Sequence, residues 1–151
     1  MANTYTQLYV HIVFAVKERD ALISEEIETQ LYPYIAGACK NRKHHLIAIG
    51  GMPDHIHMLV GMAPTESISE FVQSIKIESS KWVHETFGKR RFGWQSGYGA
   101  FTYSKSLLPP VERYILNQKE HHKKQSFDDE IRDILEKAGI EFDERYVLKG
   151  C

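Results

Sequence analysis

The stretch HLIAIGGMPDHIHMLV, residues 45–60, decides the fold. It holds two short apolar runs, His45–Ile49 and His55–Val60, separated by Gly50-Gly51-Met52-Pro53-Asp54. Glycine, proline and aspartate together mark a turn, so the runs read as paired antiparallel strands. Met58-Leu59-Val60 makes the second run a central, buried strand. Within it His55 and His57 stand two apart, and residues i and i+2 of a strand share a face. Both imidazoles therefore project together while Ile56 points the other way.

Upstream, Gln7–Val16 alternates: Leu8, Val10, Ile12, Phe14 and Val16 share one face, Gln7, Tyr9, His11 and Val13 the other, which predicts a strand. Ser24 offers an N-cap, with Glu25 and Glu26 placed against the positive end of a helix dipole. Ile27, Leu31, Ile35 and Ala38 then recur at helical spacing over Glu25–Lys40, with Pro33 expected to kink the helix or shift its start. Downstream, Ser67 and Glu70 form a capping-box pattern ahead of a helical stripe that runs to about Phe87. Gly88–Gly99 reads as loop and Ala100–Lys105 as a fourth strand. Pro109 and Pro110 suit a helix start, so Val111–Lys123 is expected as a third helix. Asp128 is expected to cap a short acidic helix to about Ala138, followed by a tail. The order is β-α-β-β-α-β plus C-terminal helices: an α+β, ferredoxin-like fold with a four-stranded antiparallel sheet in one domain over residues 1–151. One sheet face is left for a site, a partner or the third helix. Many unrelated functions share this fold, so chemistry must come from particular residues.

Composition narrows the class. Hydrophobic residues make up 42% and charged residues 26% of the 151, as in an ordinary soluble domain. No apolar run is long enough to span a membrane and no secretory signal is visible, so a cytoplasmic protein is expected. Cys39 and Cys151 make no disulfide framework and suggest no metal site. The net charge is -1, but it is unevenly spread. Residues 40–127 carry thirteen basic and seven acidic side chains and seven of the eight histidines, between two acidic ends. A basic middle segment permits phosphate binding without establishing it, since solvated surface charge explains the same pattern.

Two signals carry chemistry. Paired imidazoles on one strand face can share a divalent ion, although the spacing alone favours hydrogen-bonded or surface histidines. Tyr114 and Gln118 lie four apart on the third helix, hence on one face, among Glu112, Arg113, Asn117 and Lys119. Such a setting is unusually polar for a core aromatic.

Together these motifs resemble the single-tyrosine transposases of small bacterial insertion sequences, within the HUH (His-hydrophobic-His) endonucleases. Pro-Asp-His-Ile-His-Met-Leu-Val at 53–60 resembles the family's metal-binding strand. Trp94-Gln95-Ser96-Gly97-Tyr98-Gly99-Ala100-Phe101 resembles the stretch before its last strand, and Tyr114-Ile115-Leu116-Asn117-Gln118 its catalytic helix. The resemblance implies Tyr114 as nucleophile and His55, His57 and Gln118 as ligands of one Mg²⁺ or Mn²⁺ ion. It implies single-stranded DNA with hairpin-containing element ends as substrate, cleavage through a 5′-phosphotyrosine, and rejoining without ATP, in line with the lack of a GxxxxGK[ST] sequence. It also implies a homodimer, in which the segment Ser104–Pro110 carries Tyr114 towards the partner's ion; a site within one chain fits the sequence as well. Lys89, Arg90 and Arg91 in the Gly-rich loop, with Lys119 and Lys123, are candidate phosphate contacts. Trp94 suits base stacking or a structural role.

Other classes fit less well. A histidine-triad hydrolase needs a third histidine where Leu59 stands. An RNA-binding module would use exposed aromatics such as Tyr9 and Tyr103, but needs no histidine pair. A non-catalytic, domesticated relative that keeps DNA binding is the main alternative, and intact His55, His57 and Tyr114 count against it.

Overall fold

A computed structural model describes residues 3–143. Strand β1 (Tyr9–Ala15) leads through a 3-10 turn at Lys17–Arg19 into helix α1 (Glu25–Asn41). Strands β2 (His45–Met52) and β3 (His55–Gly61) follow as a hairpin, then helix α2 (Ile68–Phe87) and strand β4 (Gly99–Thr102). Three helices complete the described chain: α3 (Leu108–Leu116), α4 (Gln118–His121) and α5 (Phe127–Lys137). The sheet order is β2-β3-β1-β4 with every pair antiparallel, which is the expected α+β arrangement. Residues 144–151, which hold the end of the expected tail and Cys151, lie outside the described residues.

The alternation read in β1 and β3 divides the molecule. Val10, Ile12 and Phe14 join Ile56, Met58 and Val60 beneath α1 and α2, whose Ile27, Leu31, Ile35, Phe71, Val72 and Ile75 complete the main core. On the opposite face Val13 and Ala15 meet Phe127 and Ile131 of α5. Ala48 and Leu59 meet Ile115 of α3 there. The face that was open in the sequence is thus covered by the C-terminal helices. Both faces of β3 are consequently buried from His55 to Val60.

Several boundaries differ from expectation. Ser24 and Ser67 cap α1 and α2 as read, accepting from the Ile27 and Glu70 amides at 3.3 and 3.1 Å. Helix α1 runs through Pro33, because the buried row Ile27, Leu31, Ile35 and Cys39 ties both halves to one core. Strand β4 ends at Thr102, short of Lys105. The cap of α5 is Ser126, which accepts from the Asp129 amide at 3.2 Å, and Asp128 lies inside the first turn. The expected single third helix is broken at Asn117 (φ −102°, ψ 24°), so Tyr114 ends one helix and Gln118 begins the next.

The glycines 50 and 51 belong to β2 and not to the turn, which tightens to Pro53-Asp54. Packing explains them better than turn geometry does. A Cβ on Gly50 would lie 2.1 Å from the Ile115 carbonyl oxygen, and one on Gly51 2.2 Å from that of His55. Helix α3 therefore rests its backbone directly on β2. A bulge between Leu46 and Ala48 adjusts the same strand, sending Leu46 and Ile49 to the main core and Ile47 and Ala48 to α3.

Gly50→Ala should force α3 away from the sheet and lower stability by roughly 1–3 kcal/mol, as overpacking does. Thermal unfolding of the variant beside the unaltered chain checks the stability loss.

Candidate metal and nucleophile site

Strand periodicity turns His55 and His57 to the face covered by α3, α4 and α5, where both are fully buried. Each has a partner that fixes its ring. His55 donates from Nδ1 to Asp54 Oδ1 at 2.8 Å, and Asp54 is held in turn by Arg19 at 3.1 Å. Burial would raise the Asp54 carboxyl, but the bond from His55 and the charge of Arg19 hold it below the usual range. Arg19 sits in the left-handed region at φ 59°, and its guanidinium reaches Asp128 at 2.7 Å and stacks on Phe127 at 4.3 Å. Across the sheet His57 Nδ1 lies 2.8 Å from Nε2 of His11, which faces it from β1. Burial pushes His57 down to about 4 and His11, helped by the charge of His57, to about 3. Uncharged imidazoles are the form that ligates metals.

Gln118 is buried at the start of α4, its Oε1 3.3 Å from His55 Nε2 and its Nε2 donating to Glu130 Oε2 at 3.2 Å. With the Nδ1 hydrogen directed at Asp54, the His55 ring presents a lone pair at Nε2. Two acceptors then face each other across 3.3 Å, an arrangement that a cation bridges. His122 donates from Nε2 to Gln118 Oε1 at 2.9 Å. The ligand atoms of His55, His57, His122 and Glu130 all lie within 4.8 Å of one another. Nitrogen and oxygen donors at this spacing fit a divalent ion.

Tyr114 packs beside this group, its ring centroid 5.7 Å from that of His57, and its hydroxyl donates to Glu130 Oε2. Burial, and after it the charge of Glu130, pushes the phenol well above its usual range. Burial would also raise the Glu130 carboxyl, but bonds from His122 and His57 outweigh that and hold it low. A cleft of about 670 Å³ reaches Tyr114 and Glu130 from solvent, lined by His11, Phe101, Tyr103, Val111 and His121 among others. The histidine pair is closed on its other side, where Phe127 stacks on His55 at 3.8 Å and 8°.

Tyr114, His55, His57 and Gln118, singled out in the sequence, thus converge within one chain. The candidate phosphate contacts do not join them. Lys89, Arg90 and Arg91 are exposed after α2, at the end of the sheet that holds His55, where Val16 bridges to Trp94. Arg91 pairs with Asp20 at 3.2 Å, Lys119 with Glu28 at 2.5 Å and Lys123 with Glu120 at 2.9 Å. Trp94 takes the structural role, packing edge-on to Phe14 and donating to Ser79 Oγ at 3.0 Å. His11, His122 and Glu130 were not foreseen. His122 lies four residues after Gln118, and Glu130 interrupts the apolar row Phe127, Ile131, Ile134, so both left a faint trace in the sequence.

A ferredoxin-like sheet with a buried histidine pair beside a helix-borne tyrosine defines a restricted class, and comparison with known proteins is specific. Residues 4–118 match the family model described as "Transposase IS200 like". The chain is 30% identical over 129 residues to the transposase for insertion sequence element IS200 of Salmonella typhimurium, covering 82% of this chain and 84% of that protein. It is 25% identical over 118 residues to the ISDra2 transposase TnpA of Deinococcus radiodurans, covering 74% and 84%. A crystal structure of a Deinococcus radiodurans protein classed as a transposase superposes with a TM-score of 0.65 at 24% identity, covering 78% of this chain and 95% of that one. A REP-associated tyrosine transposase bound to a REP hairpin gives 0.56 at 14%, covering 76% and 68%. The chain belongs to the IS200-like transposase family. Membership implies DNA cleavage and joining as its class of activity. Among the described residues no helix is long and apolar enough to cross a membrane.

Buried histidines with lowered pKa values set a pH dependence. Folding keeps His57 and His11 neutral while the unfolded chain takes up protons below about 6.5, so stability is present above that pH and is lost as pH falls towards 4. In EDTA the free energy of unfolding should drop by up to ~1.4 kcal/mol per pH unit for each histidine. His11→Gln should flatten the slope, as read from urea melts between pH 7 and 4.5.

Proposed function

We propose that this chain cuts and rejoins single-stranded DNA during transposition, with Tyr114 as nucleophile and one divalent ion held by His55, His57 and Gln118. The observation that carries the reading is the convergence of Tyr114 and Gln118, from two helices, on the histidine pair of β3. Family membership and the lone pairs of His55 and Gln118 facing each other support the same assignment.

In the forward step the Tyr114 oxygen bonds to phosphorus and the bond from phosphorus to the 3′-oxygen breaks. The phenolic proton is lost and the departing 3′-oxygen gains one, leaving a 5′-phosphotyrosine and a free 3′-hydroxyl. Because one phosphoester replaces another, the reverse attack by a 3′-hydroxyl rejoins strands without an energy source. A bound Mg²⁺ or Mn²⁺ supplies positive charge that polarises the scissile phosphate and stabilises the leaving oxygen. Asp54 and His11 orient the two imidazoles, the role second partners play at metal sites. Glu130 holds the Tyr114 hydroxyl at the inner end of the cleft. Phe101 and Tyr103 line the path to Tyr114 and suit base stacking, which favours single strands over duplex. The relative bound to a REP hairpin supports a hairpin beside the cut as the recognised feature. Lys89, Arg90, Arg91, Lys119 and Lys123 would meet phosphates, the last three after giving up surface ion pairs worth no more than ~1 kcal/mol each.

Tyr114→Phe removes one oxygen and should leave folding and DNA binding intact while abolishing the covalent adduct on denaturing gels. An adduct that persists in this variant overturns the assignment, and full cleavage in excess EDTA removes the ion from it. DNA binding by the unaltered chain with no adduct under any metal supports the non-catalytic alternative.

Assembly follows from the same reading. The edges β2 and β4 leave strands free to join a second sheet, and a two-fold homodimer is proposed. The contacts of Ile115, Leu108 and Val111 with Ala48 and Leu59 hold α3 equally well whichever chain supplies it. Light scattering should give about twice the 17.5 kDa chain mass. Co-expression of Tyr114→Phe with His57→Ala then locates the sites: recovered cleavage means that α3 is exchanged between chains, and none means that each site lies within one chain.

A further inference from the structure

Glu130 is the most connected side chain of the site and lies on α5, beyond the residues 4–118 that match the family model. It is 1% exposed. Its Oε1 lies 3.1 Å from His57 Nε2, 3.2 Å from His122 Nε2 and 3.8 Å from His55 Nε2. Its Oε2 accepts from the Tyr114 hydroxyl and from Gln118 Nε2, with His121 Nε2 3.1 Å away. Among the described residues none of these partners is a lysine or arginine. A buried carboxylate with no lysine or arginine among its partners is expensive, because hydrogen bonds return only part of its lost hydration.

We propose that Glu130 is a ligand of the divalent ion through Oε1 and the anchor of Tyr114 through Oε2, so that α5 joins metal and nucleophile in one unit. The inference rests on the metal site assigned above and adds to it a carboxylate that the sequence motifs do not contain. The spacing suits it: neighbouring ligands of an octahedral ion with ~2.1 Å bonds stand ~3 Å apart and opposite ones ~4.2 Å. The donor chemistry suits it too. Two imidazoles and one amide oxygen make a neutral set with only one hard donor for Mg²⁺, and a carboxylate adds the hard, charged oxygen that such an ion prefers. Glu130 also sets the Gln118 amide: by taking its Nε2 hydrogen, it turns Oε1 towards His55. The helix is latched to the first histidine by the Phe127 stack on His55 and by Arg19, which spans Asp54 and Asp128.

Mn²⁺ binding without DNA tests this, followed by the free-ion EPR signal and by the shift in melting temperature at saturating Mn²⁺. The unaltered chain, Glu130→Gln, Glu130→Asp and His57→Ala are compared at pH 7.5. Glu130→Gln keeps the size but loses the charge and turns one accepting oxygen into a donor, so affinity should fall roughly tenfold or more and the Mn²⁺-induced shift should shrink. Glu130→Asp, which keeps the charge on a shorter arm, should recover part of the affinity and covers the case in which the Gln variant fails to fold. Mn²⁺ bound as tightly or more tightly by Glu130→Gln, or by Glu130→Asp alone where Gln does not fold and Asp is indistinguishable from the unaltered chain, overturns the proposal. Glu130 would then be a plug occupying the ion's place. His57→Ala separates the two readings. Affinity lost in His57→Ala but kept in Glu130→Gln removes Glu130 and spares the histidine site, whereas affinity kept in both removes the metal site itself.

Discussion

Strand β3 is buried on both faces, and the rest of the molecule depends on how it meets that constraint. Its even positions, Ile56, Met58 and Val60, pack under α1 and α2 and supply ordinary apolar stabilisation. Its odd positions put two imidazoles into an equally dry environment, where unpaired polar atoms are costly. Each imidazole therefore arrives with a partner: Asp54 for His55, and His11, from the neighbouring central strand, for His57. The same partners set ring orientation, so the requirement to satisfy buried nitrogens and the requirement to aim them coincide. A strand can serve a hydrophobic core and a polar site together only because its two faces are independent.

The C-terminal helices are placed by contacts with that polar face. Gly50 gives up its side chain so that the Ile115 backbone can approach β2, which brings the end of α3 over His57. The break at Asn117 then redirects the chain, and Gln118 enters beside His55 instead of continuing the line of Tyr114. Helix α5 closes the arrangement with Phe127 flat against His55 and Glu130 among the ring nitrogens. Its apolar residues contribute one small cluster, and its polar residue makes the larger number of specific bonds. Access remains from the Tyr114 side, through a cleft lined in part by Phe101 and Tyr103. The electrostatics agree with the geometry: burial holds His57 and His11 low, and burial and the charge of Glu130 hold the Tyr114 phenol high.

The sequence by itself determined the sheet, its two principal helices and the side of β3 on which the histidines stand. All of these follow from periodicity and local caps, which act within a few residues: alternation in β1 and β3, and Ser24 and Ser67 at the helix starts. The motif residues Tyr114, His55, His57 and Gln118 were legible for a different reason, their resemblance to a known pattern. Only the tertiary structure decided what surrounds them. Gly50 and Gly51 read locally as a turn, but their role is set by backbones from distant segments, Ile115 in one case and the hairpin partner His55 in the other. His11 looked like one more alternating strand position until pairing placed it against His57, 46 residues away. Glu130 looked like one acid in an acidic helix, 73 residues from His57, and no local rule connects them. Buried polar groups find partners through space rather than along the chain, so a site assembled around one buried cluster is visible in sequence only at the residues whose spacing already forms a pattern.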